Sequence, residues 1–78
     1  MGEKWPSMRG RQLEAILVRE CGEPVRRSGS HRTFERPDGL GTFTFSYHDS
    51  REVPGSQVRR ILVADVGLSV ERARKVAR

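Results

Sequence analysis

The 78-residue chain is poor in several things at once: it has one cysteine, two histidines, five aromatic residues and only ten carboxylates. A single Cys21 leaves no partner for an internal disulfide, which rules out a disulfide-stapled secreted scaffold. No apolar run approaches the ~20 residues of a membrane span. The opening stretch MGEKWPSMRG lacks the basic-then-apolar pattern of a secretory signal, so a reducing cytoplasm is the expected compartment. Asp38, Asp49 and Asp65 fall in separate segments, and no zinc-ligand cluster, Gly-rich phosphate loop or nucleophile elbow is present. Neither a metal nor a small-molecule cofactor is expected.

What the chain has in abundance is arginine. Lysine and arginine total 15, of which only Lys4 and Lys75 are lysines, and the net charge is +5 with a pI near 10.7. The planar guanidinium donates two parallel hydrogen bonds and is the better phosphate clamp. A polyanionic partner follows, with nucleic acid ahead of a membrane surface because no strongly apolar helical face accompanies the charge. An ordinary solvated basic surface and an acidic protein partner are the competing readings.

Periodicity supplies the elements. Pro6 and Gly10 interrupt any early helix, so residues 1–8 read as an N-terminal extension and residues 9–78 as one domain. Leu13, Ile16, Leu17 and Cys21 recur at helical spacing and Gly22 supplies a stop, giving a helix over about 11–21. Residues 24–28 are a weak strand. HRTFER and TFTFSYH, separated by PDGLG, read as a hairpin. Phe43, Phe45 and Tyr47 alternate with Thr42, Thr44, Ser46 and His48, so one face is aromatic and the other polar. Pairing Phe34 with Phe43 sets Thr33 opposite Thr44 and places His31 opposite Ser46, with His48 diagonally adjacent on the polar face. Pro54 starts a second helix carrying Val58, Ile61 and Leu62, Gly67 ends it, and Ser69 caps a short third helix with Val70, Ala73 and Val76 inward. The expected fold is α+β: a three-stranded antiparallel sheet, helices on one face, the other face bare and polar, and an extra C-terminal helix.

Histidine is the one side-chain type whose ordinary pKa, about 6.5, suits proton transfer near neutrality. His31 follows Gly29 and Ser30, which permit close approach of a ligand to the backbone, and Arg26, Arg27, Arg32 and Arg36 lie around it as candidate phosphate contacts. Were the partner RNA, the ribose 2′-hydroxyl could attack its own phosphate, given a base, an acid and positive charge, with no protein nucleophile. Ser30 and His48 are candidate supports; His48 equally suits a turn. A lone histidine in a small domain is more often a surface residue, so a non-catalytic RNA-binding module and a regulator acting through protein contacts stay open beside catalysis. Cys21 reads as core, and Trp5 as either a stacking platform or a disordered residue.

The first helix ending at Gly22, GSHRTF, the strand ending in YHDS, and REVPGSQVRRILVADVGLS together resemble the HicA-type mRNA-interferase toxins over residues 9–69. The resemblance implies a double-stranded-RNA-binding-domain-like α-β-β-β-α fold and an endoribonuclease that cuts mRNA in the bacterial cytoplasm. It also implies His31 as the catalytic residue and a HicB-type antitoxin as partner. Arg32 departs from the family pattern, which often has a second histidine or another polar residue there. The Arg-for-Lys usage, residues 1–8 and the tail VERARKVAR depart from it too.

Overall fold

The computed structural model describes residues 4–78; residues 1–3 of the expected extension lie outside the described residues. Two short strands and a helix open the chain: β1 (Met8–Arg9) runs directly into α1 (Gly10–Cys21), followed by β2 (Arg26–Ser28). Then come β3 (His31–Glu35), β4 (Thr42–Phe45), β5 (Glu52–Val53), α2 (Gly55–Arg60) continuing as a π-helical stretch Ile61–Asp65, and α3 (Val70–Val76). Strands β2, β3 and β4 form an antiparallel sheet in that order, and β1 pairs with β5 apart from it.

Helix α1 buries Leu13, Ile16 and Leu17 at the expected spacing. Its first amides, which lack partners within the helix, are met by the loop after β4: Gly10 N–H donates to Arg51 O (2.8 Å) and Arg11 N–H to Asp49 O (3.0 Å). Gly10 is packed so closely there that a Cβ would strike the His48 carbonyl. Gly22, at φ 86°, ends the helix and donates to Val18 O.

The hairpin register is the one the alternation demands. Phe34 faces Phe43 and Thr33 faces Thr44, with the two phenylalanine rings stacked at 5.6 Å between centroids. Phe34 and Phe45 are buried against the helices, while His31, Glu35, Thr42 and Thr44 are exposed on the opposite side. The strand expected over TFTFSYH stops at Phe45, because the chain must turn over His48–Arg51 to cap α1; Tyr47 still packs on the core.

Pro54 is the N-cap of α2. The π stretch, in which Val66 N–H reaches five residues back to Ile61 O, lets Val58, Ile61, Leu62 and Val66 all turn inward. Gly67 (φ 89°) closes it and Leu68 N–H returns to Leu62 O. The Arg36 guanidinium lies over Gly67, donating to Ala64 O and Asp65 O (both 3.3 Å) and to Asp38 (2.7 and 3.1 Å). A cation on these terminal carbonyls is favourable because the helix C-terminus carries partial negative charge. Ser69 caps α3 through a bond from Arg72 N–H; Ala73 of α3 and Ala77, its C-cap, sit in the core, whereas Val70 stays exposed.

The expectation that residues 1–8 stand outside the core is corrected at two positions. Met8 is buried and pairs with Val53, and Trp5 packs against the core. A two-residue ladder is too short to leave any alternation in sequence.

Replacing a helical glycine by alanine ordinarily stabilises a helix by about 1 kcal/mol. At Gly10 the sign reverses: Gly10→Ala is expected to lower stability by about 1–3 kcal/mol in urea unfolding, since the His48 carbonyl must move. The bonds from Arg36 and the Leu40 amide hold the Asp38 carboxyl down at about 2, from 3.8. The folded state therefore favours the charged carboxylate, and this contribution is full above about pH 4 and lost as pH falls towards 2. Asp38→Asn should flatten that part of the acid-stability curve; an unchanged curve would show the clamp to be without effect.

Candidate functional site

Ser28 and His31 are cross-strand partners, so Gly29 and Ser30 form a two-residue hairpin turn. Gly29 has φ 61°, the left-handed value that a type II′ turn demands at its first central position. Gly-Ser-His is thus a structural unit as well as a motif. It ends one strand, reverses the chain and sets His31 as the first residue of β3, exposed on the bare sheet face.

Period two then sorts the arginines. Arg26 pairs with Thr33 and shares the His31 face, one diagonal step away, within reach of a long side chain. Arg27 pairs with Arg32, and both lie on the helix-covered side. Arg27 sits 3.4 Å from Glu14 of α1 at the sheet edge, still half exposed.

Arg32 is corrected from a phosphate contact to a structural hub. It is 9% exposed, and its guanidinium joins three parts of the chain. Nη2 donates to Asp49 Oδ1 (2.9 Å) and Nη1 to Tyr47 O (3.1 Å), both in the loop after β4. Nη1 also lies 3.5 Å from Ser30 O in the turn that presents His31. Nε lies 3.0 Å from Glu14 Oε2, close enough for strong charge attraction, although the N–H is aimed off the carboxylate and makes no hydrogen bond. Arg36, fully engaged by Asp38 and the end of the π stretch, is likewise corrected. Both follow from alternation: if His31 faces water, Arg32, Phe34 and Arg36 face the helices.

His48 leaves the ladder before reaching the diagonal position beside His31. It lines an open groove of about 510 Å³ with Arg11, Gly29, Ser30, Arg32, Asp49 and Ser50. The groove runs from the His31 turn to the start of α1. Arg11 and Glu14 were not singled out in the sequence; Glu14 was legible only as a carboxylate bordering the apolar stripe of α1. The Cys21 thiol is pushed up to about 11, first by burial and then by Glu20, so it stays protonated near neutrality. Among the described residues no helix is long and apolar enough to cross a membrane, and no three His, Cys, Asp or Glu side chains stand together as a metal-binding group.

An antiparallel three-stranded sheet in α-β-β-β-α order, helices on one face and the other bare, is a double-stranded-RNA-binding-domain-like α+β fold. The family model described as HicA toxin of bacterial toxin–antitoxin matches residues 10–68. The chain belongs to the HicA toxin family, and is a toxin of a toxin–antitoxin system. No curated protein and no solved structure matches it. The matched segment begins with α1 and ends just before the Ser69 cap, so β1 and α3 lie outside it.

Truncating Arg32 leaves Glu14 without its buried cation, and the loss of one member of such a pair is costly. Arg32→Met is expected to destabilise the protein by about 2–4 kcal/mol in chemical denaturation, the lower end reflecting the exposure of Asp49. A change below about 0.5 kcal/mol, the range of an ordinary surface substitution, would show that Arg32 does not tie these elements together.

Proposed function

We propose that the chain is a metal-independent endoribonuclease that cuts mRNA, with His31 as its catalytic residue. The observation that carries this reading is the placement of His31: exposed on the bare sheet face, at the end of a tight turn, with Arg26 on the same face. In the reaction the ribose 2′-oxygen attacks the adjacent phosphorus as its proton passes to the imidazole. The bond from phosphorus to the 5′-oxygen then breaks, and that oxygen takes up a proton. The products are a 2′,3′-cyclic phosphate and a 5′-hydroxyl end. Arg26 supplies positive charge to the phosphorane, whereas Arg27, turned to the helix-covered side beside Glu14, does not reach it. Ser30 and His48, which line the adjoining groove, are the candidates to assist proton transfer or hold the neighbouring nucleotide.

The cognate partner in this reading is a HicB-type antitoxin that covers the bare face and with it His31. The site of action is the cytoplasm, where mRNA is translated. A non-catalytic RNA-binding module is the outcome to be expected if His31 proves dispensable for strand scission.

His31→Ala should slow cleavage of an RNA oligonucleotide by about 10²–10⁴-fold, the span that a positioned acid–base group supplies. An exposed residue of this kind should alter stability by less than about 0.5 kcal/mol, and antitoxin binding should survive. EDTA should leave the parental rate unchanged, and a 2′-deoxy substitution at the cut position should block it. Parental-rate cleavage by His31→Ala would falsify the assignment.

A further inference from the structure

Arg11 is placed against ordinary helix electrostatics. It stands exposed in the first turn of α1, a turn that holds no acidic residue, although the partial positive charge of a helix N-terminus favours anions there and disfavours cations. Its backbone N–H is taken by Asp49 O, but its guanidinium has no ion pair or hydrogen bond among the described residues to offset that placement. Instead the side chain lines the open groove of about 510 Å³ beside the His31 turn.

Three segments wall that groove: the start of α1, the Gly29–Ser30 turn and the loop at His48–Ser50. The buried Arg32 also borders it and ties two of the walls together through Ser30 O and Asp49 Oδ1. The third wall is fixed by Gly10, packed against the His48 carbonyl with no room for a Cβ. The groove is therefore set by the same contacts that set the turn before His31. Within it the charge of Arg32 is answered by Glu14 and Asp49, which leaves Arg11 as the guanidinium open to an incoming anion.

We propose that this groove holds the RNA strand next to the cut, with the Arg11 fork gripping the phosphate of the neighbouring nucleotide while the scissile phosphate lies at His31 and Arg26. The proposal rests on the reading of the chain as an RNA-cutting toxin and adds to it a substrate-binding residue from α1. A guanidinium meets a phosphate with two parallel hydrogen bonds, and the Ser30 and Ser50 hydroxyls are suited to the other phosphate and sugar oxygens. The volume falls within the range of about 300–1,000 Å³ usual for small-ligand sites, enough for one nucleotide. A Cβ on Gly29 would meet nothing within 4 Å, so the turn is open to the strand. The lining also favours RNA over a protein partner: none of its side chains is apolar, whereas the cores of protein interfaces are rich in apolar anchors and depleted of charge.

The test uses the full-length protein and a labelled single-stranded RNA oligonucleotide with one cut position. A grip on a phosphate remote from the reacting atoms is the same before and during reaction, so Arg11→Gln should raise KM about tenfold and leave kcat unchanged. Arg11→Lys, which keeps the charge without the fork, should recover part of the loss. Binding of the same oligonucleotide with a 2′-deoxy residue at the cut, followed by fluorescence anisotropy from 50 to 200 mM KCl, should weaken about tenfold in Arg11→Gln. The slope of log K against log salt should fall by about 0.7, the share of one phosphate on a single strand. Arg19→Gln, which removes a charge from the far end of the same helix, should change neither quantity. Replacing one flanking phosphate at a time by a neutral methylphosphonate needs no protein variant: at one linkage it should weaken parental binding about tenfold and cost Arg11→Gln nothing further. Equal effects of Arg11→Gln and Arg19→Gln, or additive losses at every flanking linkage, would overturn the proposal. So would unchanged RNA binding accompanied by loss of antitoxin binding, which assigns the groove to a protein. The two readings fail separately: binding through Arg11 without cleavage removes the catalytic assignment alone, and parental KM in Arg11→Gln removes the groove alone.

Discussion

The Arg32 guanidinium is the contact on which the arrangement around His31 depends. It draws together Glu14 on α1, Tyr47 O and Asp49 in the loop after β4, and Ser30 O in the turn before His31. Burying a guanidinium is costly, and a paired buried charge is seldom better for stability than well-packed apolar residues. Its effect is on geometry: an arginine has several donors in a fixed plane, so acceptors on separate elements must all meet that plane at once. The same loop also caps α1 through the Arg51 and Asp49 carbonyls, and the His48 carbonyl packs on Gly10. Helix, loop and turn are therefore held by one set of contacts, and His31 stands on the turn that this set fixes.

That arrangement divides the arginines into groups that composition alone treats as one. Arg32 and Arg36 act as fasteners, one tying α1 to the sheet and the other holding the end of the π stretch through Ala64 O, Asp65 O and Asp38. Arg26 is the member of the GSH neighbourhood that shares the water-facing side with the imidazole. Charge that suggests nucleic acid when counted along the chain is thus in part neutralised within the fold, by Glu14, Asp49 and Asp38. A count of basic residues identifies a class of partner and says nothing of where that partner rests.

Much of the architecture was legible because it rests on strong periodicities. The spacing of Leu13, Ile16 and Leu17, the alternation through Phe43, Phe45 and Tyr47, and the Gly22 and Gly67 stops each have a local cause, and the Phe34–Phe43 register follows from them. The failures have local causes too. Met8 and Val53 pair over too short a ladder to show alternation. Strand β4 yields at Phe45 to the capping needs of α1, a demand made from far earlier in the chain and invisible within YHDS. The exposure of His31 was readable from the register. The inward direction of Arg32 follows from the same parity, against the surface position that its charge alone suggests.

The additions outside the family segment bear on the core as well as on the surface. A chain of this size buries only roughly 60% of the surface its unfolded form exposes, so a helical layer made of α1 and α2 alone leaves apolar area uncovered. Ala73 from α3, Ala77 at its C-cap and Met8 from β1 are all buried in the one cluster that holds Leu13, Leu17, Phe34 and Val58. Small residues at the contact let α3 approach closely, and closeness brings Arg72 to Glu20 and carries Arg74 and Arg78 beside Lys4 and Trp5. The packing that completes the thin core is therefore also what gathers the basic side chains. Any change that loosens Ala73 or Ala77 must disperse that charge as it weakens the fold, whereas the sheet face bearing His31, braced through Arg32, has its own separate support.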